Sequence, residues 1–493
     1  MTGGMIPLGE TLSRRAQAMP NAPAVSCGET TLTWRQLEAR TNRIARGLEA
    51  LGVKLGDLVA IGLPNEVSFV EACWGVWKLG ATPLPVSFRL PHAELRAIVD
   101  LAQPAVVIAL PGMESGRTRV TVEDLLVLSN DDRPLESRVA PISSAVTSGG
   151  STGRPKLILR NTRGLALAEP DGPGLWRFGR DETALIPAPL YHSGPFEGAL
   201  NALTHAAHLV LMPRFDAESV LAEIGRRRVT WIYLVPTMMS RIWRLPQEVR
   251  DRYDISSLRT LWHLGSPCPR RLKKAFIHWL GPEVIMEMYG GAEGQATTVI
   301  TGSEWLDHCG SVGRVIAGEM KAFDEDGSEL PPGQLGEVYM RRPEGSPPAY
   351  HYRGATARIL RGSWESLGDI GYFDANGYLY LADRRTDMIL VGGANVYPAE
   401  VEAVIDEHPF ALSSAVIGLP HEDMGSSVHA IVHACPELTA EALLAHLAER
   451  LVTYKLPRSI EFVDEPVRDE AGKVRRSQLR DERIARMKSP LPM

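Results

Sequence analysis

Residues Ser148 to Lys156 read SGGSTGRPK, three glycines among serine and threonine with a lysine at the end. Glycines let a backbone turn its N–H groups inward, hydroxyls add donors, and a lysine supplies a point charge. Together these make a cradle for phosphate oxygens. The loop follows a strand-like run, ISSAVT, but it is not the GxxxxGK[ST] pattern, because Pro155 precedes Lys156 and Leu157 follows it. On composition alone a solvated surface turn is an equal reading. His192, in PLYHSGPF at a strand-like end, is similarly open between a binding pocket and a satisfied core histidine.

The elements that must position such residues are those of a large soluble chain. Its 493 residues exceed a single core and imply two to four packed units. With 44% hydrophobic and 23% charged residues the composition is that of a globular protein, and no apolar run reaches the ~18 residues of a membrane span. A net charge of -6 and a pI near 6.2 supply no basic excess for nucleic acid or an anionic membrane. Small-molecule partners are expected instead. Cys27, Cys73, Cys268, Cys309 and Cys435 are odd in number and far apart, which indicates neither a disulfide framework nor a zinc site and fits a reducing cytoplasm. The N-terminal stretch reads as the start of an amphipathic helix, not a signal peptide.

From Thr33 a helix is expected, with Leu37, Ile44, Leu48 and Leu51 at helical spacing and Gly52 as its stop. Apolar LVAIGL and then VSFVEACWGVWKLG give a buried strand and another helix. The alternation returns at ALIPAPLYH, HLVLMP, WIYLVP and LRTLWHLGS, the pattern of a layered α/β fold with sites at strand ends. Between Gly310 and Asp383 short alternating runs such as DANGYLYL predict hairpins in a small barrel or sheet. Beyond Arg384 helices and strands mix again, ending in a helix capped by Thr439 with Leu443, Leu444, Leu447 and Leu451 on one face. A boundary falls near Asp383 and Arg384, and the terminal KSPLPM reads as a frayed tail.

The glycine loop, MYGGAE at 288 to 293, the stretch from Ser366 to Pro409 and VRDEAGKVRRSQLR at 467 to 480 together resemble the adenylate-forming enzymes, the superfamily of acyl-CoA synthetases, peptide-synthetase adenylation domains and luciferases. The motifs stand in the family's order, and the resemblance runs over nearly the whole chain. It implies ATP-dependent joining of a carboxylic acid to AMP with pyrophosphate release, then transfer to a nucleophile. It also implies an α/β fold with a large N-terminal domain of layered sheets and helices, including a barrel-like portion, over residues 1–382. A small, mobile α+β C-terminal domain would occupy residues 383–493.

Carried over by residue, the resemblance gives Ser148, Gly149, Gly150, Ser151, Thr152, Gly153 and Lys156 to the β- and γ-phosphates. Gly265, Ser266, Pro267 and Tyr289 would flank adenine, and Asp369 and Arg384 would meet the ribose. Glu293 would hold Mg²⁺, which needs only one or two protein oxygens beside phosphates. Lys473 would bridge the acid's carboxylate and the α-phosphate as a mobile point charge. His192 would line the acid pocket with Phe196, Met238, Trp262, His263, Gly290, Gly291 and Ala292, a set expected to be apolar and roomy. Gly392, Gly393 and Ala394 would border the acceptor tunnel.

The sequence departs from the family pattern in four places. Ala292 and Leu367 stand where threonines are usual, Leu157 where a glycine is usual, and Ala394 where an acidic residue is common. A hydroxyl lost at Ala292 subtracts about 1 kcal/mol of hydrogen bonding near the α-phosphate. No aspartate near YHSGPF is present to bind an α-ammonium, so an α-amino acid is not the expected substrate. A bulky aromatic, alicyclic or steroidal acid fits better, as in bacterial ligases of cyclic acids. CoA is the expected acceptor, with an amide-forming relative that uses a small amine as the alternative. A non-catalytic nucleotide-binding regulator would have no use for Lys473.

Overall fold

The computed structural model describes residues 4–113, 116–149, 155–170, 172–179, 181–384, 387–391, 394–470 and 472–488. The helix Trp34–Ala50 begins where expected. The Thr33 hydroxyl accepts from the Gln36 N–H while the Gln36 side chain accepts from the Thr33 N–H, a reciprocal cap that satisfies two orphan donors. Leu37, Ile44 and Leu48 are fully buried, Leu51 reaches the surface, and Gly52 leaves the helix at φ 87°. This helix packs against the nearly all-buried helix Val67–Lys78. A Cβ at Gly75 would lie 2.5 Å from Ile44 Cγ2, so only glycine allows the two helices to approach so closely.

The core of the N-terminal part is a 14-stranded sheet. Its parallel portion runs Ile285–Gly290, Thr260–His263, Trp231–Leu234, Thr183–Ile186, His208–Leu211 and Pro23–Cys27. These strands are short apolar runs because helices cover both faces. On the Ile285–Gly290 side the sheet continues antiparallel through Thr297–Thr301, Gly313–Ala317, Tyr378–Arg384, Trp364–Phe373, Gly336–Arg341 and Glu319–Phe323. The hairpin expected at DANGYLYL is present, with Gly377 at φ 80° in its turn. The expected barrel is not: among the described residues these strands form the open end of the large sheet. The edge of Ile285–Gly290 offers an unpaired ladder to Thr297–Thr301, so the hairpins extend an existing sheet instead of closing on themselves.

Besides a two-stranded pairing of Met5–Pro7 with Leu165–Leu167, two smaller sheets accompany it. One is parallel, in the order Thr82–Pro85, Leu58–Gly62, Val106–Ala109 and Arg119–Val120. The other is antiparallel, Ala145–Gly149, Pro155–Arg160 and Tyr350–Arg353. Beyond these, Ile389–Val391 starts a five-stranded sheet with a separate core that includes Val396, Val401, Ile405, Val416, Leu443 and Leu447. The helix Ala440–Ala448 is capped by the Thr439 hydroxyl, which accepts from the Ala442 N–H 3.2 Å away. It stops short of Leu451, which still packs at the edge of that core, while Leu444 is only partly covered. Among the described residues no helix is long and apolar enough to cross a membrane. The tail from 489 lies outside the described residues.

Candidate active site

The strand pair Ala145–Gly149 and Pro155–Arg160 brings Ser148 opposite Lys156 and Gly149 opposite Pro155. Gly150, Ser151, Thr152 and Gly153, between them in sequence, lie outside the described residues. Lys156 leaves the strand toward Glu293 and Tyr352. Its Nζ lies 3.6 Å from Glu293 Oε1, donates to the Tyr352 hydroxyl at 3.2 Å, and sits 4.3 Å from the centre of that ring. The Tyr352 O–H donates in turn to Glu293 Oε1 at 2.6 Å. Burial and the Glu293 charge push the Tyr352 phenol well up, so it stays a donor. A cation, a phenol and a mostly buried carboxylate thus meet at the end of the glycine loop. Among the described residues no three His, Cys, Asp or Glu side chains gather as a metal site. The single buried carboxylate of Glu293 is compatible with a magnesium ion held mainly by phosphate oxygens and water, which needs only one or two protein oxygens.

On the other side of the MYGGAE turn, the Tyr289 O–H donates to Asp369 Oδ2 at 2.6 Å. Asp369 is paired in register with Arg384 across the hairpin. Gly265, at φ 93°, turns the chain out of the strand Thr260–His263 and presents Ser266 and Pro267. The C-terminal part closes over this turn. A Cβ at Gly472 would lie 2.8 Å from Thr237 Oγ1 and 2.9 Å from Ser266 Oγ, so the chain just before Lys473 rests on the strand ends. The Lys473 N–H donates to Asp469 Oδ1 at 2.9 Å, and the Asp469 N–H donates back to the Lys473 carbonyl at 3.0 Å, which makes a tight turn that displays the lysine.

His192 precedes the helix Ser193–Thr204. Its Nε2 is buried without a hydrogen-bond partner among the described residues. Burial, and then the positive charge of Lys473, hold its pKa down at about 3. The ring is therefore neutral near neutral pH.

The other expected pocket residues divide. Trp262 donates its indole N–H to the Trp176 carbonyl at 3.1 Å, and the two rings lie 5.6 Å apart. His263 leaves the opposite face of the same strand, 3.9 Å from the Glu287 carboxylate and beside the buried Lys273–Glu287 ion pair. Strand alternation keeps these two out of one pocket. Phe196 turns inward against Phe69 and Trp77, and Met238 is buried in the helix Pro236–Trp243. At Gly291 a Cβ would meet Leu367 Cδ1 at 2.5 Å and Glu293 Oε2 at 2.6 Å; at Gly290 it would lie 3.0 Å from the Ala296 carbonyl. Ala394 opens the strand Ala394–Val396, while Gly392 and Gly393 lie outside the described residues.

Three residues that the sequence reading passed over sit among these. Besides Tyr352, Arg160 donates from Nε to the Ala292 carbonyl at 3.2 Å and from NH2 to the Ser193 hydroxyl at 2.6 Å, and pairs with Glu197. Their signals were small: a charge ending the apolar run LILR, and a glutamate one helical turn after Ser193.

Residues 12–347 match the AMP-binding enzyme family, and residues 400–473 match the AMP-binding enzyme C-terminal domain. A feruloyl-CoA synthase of Amycolatopsis sp is 32% identical over 492 residues, covering 96% of this chain and 98% of the relative. A 2-succinylbenzoate–CoA ligase of Geobacillus kaustophilus is 32% identical over 482 residues, covering 95% and 96%. Among solved structures, the o-succinylbenzoate CoA synthetase (MenE) from Bacillus subtilis, in complex with the acyl-adenylate intermediate OSB-AMP, matches with a TM-score of 0.82 at 26% identity, over 97% of this chain and 99% of that one. The same enzyme in complex with ATP and magnesium ion matches with a TM-score of 0.81 at 26% identity, over 97% and 100%. This chain belongs to the AMP-binding enzyme family and is a ligase.

Proposed function

We propose that the chain activates an aromatic carboxylic acid with ATP, forming an acyl-adenylate and pyrophosphate, and passes the acyl group to CoA. The observation that carries this reading is the seating of the Lys473 turn on Ser266 and Thr237, near enough to the buried His192 for the lysine charge to help hold that ring neutral. A lysine in that position neutralises charge as the acid's carboxylate attacks the α-phosphate, a use that simple nucleotide binding does not require. Lys156 and the backbone of the glycine loop would hold the β- and γ-phosphates. Glu293 would hold magnesium, which supplies charge neutralisation to the phosphates. Tyr289 and the Gly265–Ser266–Pro267 turn would flank adenine, and Asp369 and Arg384 would take the ribose.

With a pKa of about 3, His192 is already neutral near neutrality and carries no imidazolium proton to donate, so its proposed role is to orient the acid through Nε2. The division at 382/383 would let the C-terminal part turn Ala394 and the preceding glycines toward the acyl-adenylate. The relatives named above favour CoA and aromatic acids, and free cysteines throughout the described chain accord with a reducing cytoplasm. The test is acid-dependent pyrophosphate release over a panel of aromatic and alicyclic acids, with CoA or simple amines as acceptor. Thioester formed with CoA supports the proposal. Pyrophosphate release with amide but no thioester replaces CoA by an amine, and no release with any acid refutes acid activation.

A further inference from the structure

We infer that Arg160 and Glu197 form a specificity wall of the acid site, and that the acid accepted carries a neutral hydroxyl directed at this pair. The inference rests on the function proposed above. Arg160 ends the strand Pro155–Arg160, and Ser193 and Glu197 lie one turn apart on the helix Ser193–Thr204. Its guanidinium ties three segments together: the strand leaving the phosphate loop, the turn at Ala292 beside Glu293, and the helix entered at His192. On the function proposed above, these segments would surround the acid as it meets the α-phosphate. The helix turns Phe196 away into the core, and the side it presents to Arg160 carries Ser193 and Glu197.

The pair is not sealed: 17% of the Arg160 side chain and 26% of the Glu197 side chain remain accessible. An acid seated here would therefore cover groups that still have water to lose. Desolvation has already pulled the Arg160 pKa down to about 10. Covering the pair with bare hydrocarbon removes its remaining water and returns nothing. A second carboxylate would face Glu197, whose charge already satisfies Arg160, and would be repelled. A hydroxyl answers both partners, donating to the carboxylate and accepting from a guanidinium N–H that the described hydrogen bonds leave over. Sites built to bond a substrate hydroxyl discriminate strongly against analogues that lack it.

The test measures kcat/KM for acid-dependent pyrophosphate release with the full-length protein. The acids are cinnamate, benzoate, the 2-, 3- and 4-hydroxy derivatives of each, and terephthalate. The expected result is a preference of about tenfold or more for a hydroxylated acid over its parent, with terephthalate poorest. Glu197→Gln should compress that preference to within about threefold, through the KM for the acid, with the KM for ATP unmoved. Parent acids used as well as every hydroxy derivative, or terephthalate preferred, would overturn the inference while leaving acid activation standing. An unchanged preference in Glu197→Gln would also overturn it. Pyrophosphate release with none of the acids removes the proposed function and this inference together. If the variant does not fold, the wild-type ratios decide.

Discussion

Two ion pairs bracket the Lys473 turn and tie it to the N-terminal part. Arg89 NH1 lies 2.7 Å from Glu470 Oε1, and Arg475 NH1 lies 3.4 Å from Glu94 Oε2. If the C-terminal part turns away after adenylation, both must break, so they should bias the protein toward the first half-reaction. All four side chains are at least 30% accessible, so each pair is worth roughly 0.2–1 kcal/mol. Glu470→Arg replaces an attraction with a repulsion of similar size, a change of up to about 2 kcal/mol, or roughly 30-fold in occupancy of the adenylating arrangement. Pyrophosphate exchange should fall by about 5- to 30-fold, while conversion of chemically supplied acyl-adenylate to thioester stays within about twofold. Combining Arg89→Glu with Glu470→Arg should restore exchange, and the effect should shrink between roughly 0.05 and 0.5 M salt. Equal loss in both assays, or no recovery in the charge swap, would refute the reasoning.

Glu287, on the strand Ile285–Gly290, forms an ion pair with Lys273 in which both partners are buried. Lys273→Met should strand the carboxylate and lower stability by about 3–5 kcal/mol in urea unfolding, and adding Glu287→Leu should recover most of the loss. No recovery would show that Lys273 acts through something other than this pair. His192, with a folded pKa near 3 against 6.5 for the free side chain, binds its proton far more readily when unfolded. Its effect on stability is negligible above pH 6.5 and turns unfavourable as pH falls below that value, reaching about 2 kcal/mol at pH 5. Unfolding midpoints at pH 7.5 and 5 should therefore converge in His192→Asn, and equal pH sensitivity in both proteins would contradict the burial argument.

What could be read from the sequence was local or carried by motif. The Thr33 and Thr439 caps, the Asn376–Gly377 hairpin and the Gly52 stop each depend on a few neighbouring residues. The partners of Arg160 were not readable, because Ala292 and Ser193 stand 132 and 33 residues away. Tyr352 meets Lys156 across 196 residues. The expected barrel was a question of which strand joins which edge, and hairpin signals do not answer it. The opposed directions of Trp262 and His263 were legible, since adjacent strand residues face opposite sides. The Arg160–Glu197 pair depended on the rotation of the Ser193–Thr204 helix, which sends Phe196 inward and leaves Glu197 for Arg160.

The central claim is that Lys473 serves formation of the acyl-adenylate and not its onward transfer. Lys473→Ala measured in both half-reactions tests this most directly. The account predicts that acid-dependent pyrophosphate exchange falls about 100-fold or more, because a charge aimed at the reacting phosphate is gone, while supplied acyl-adenylate and CoA still give thioester at close to the wild-type rate. Loss of the same size in both half-reactions, or exchange that persists in Lys473→Ala, would contradict it.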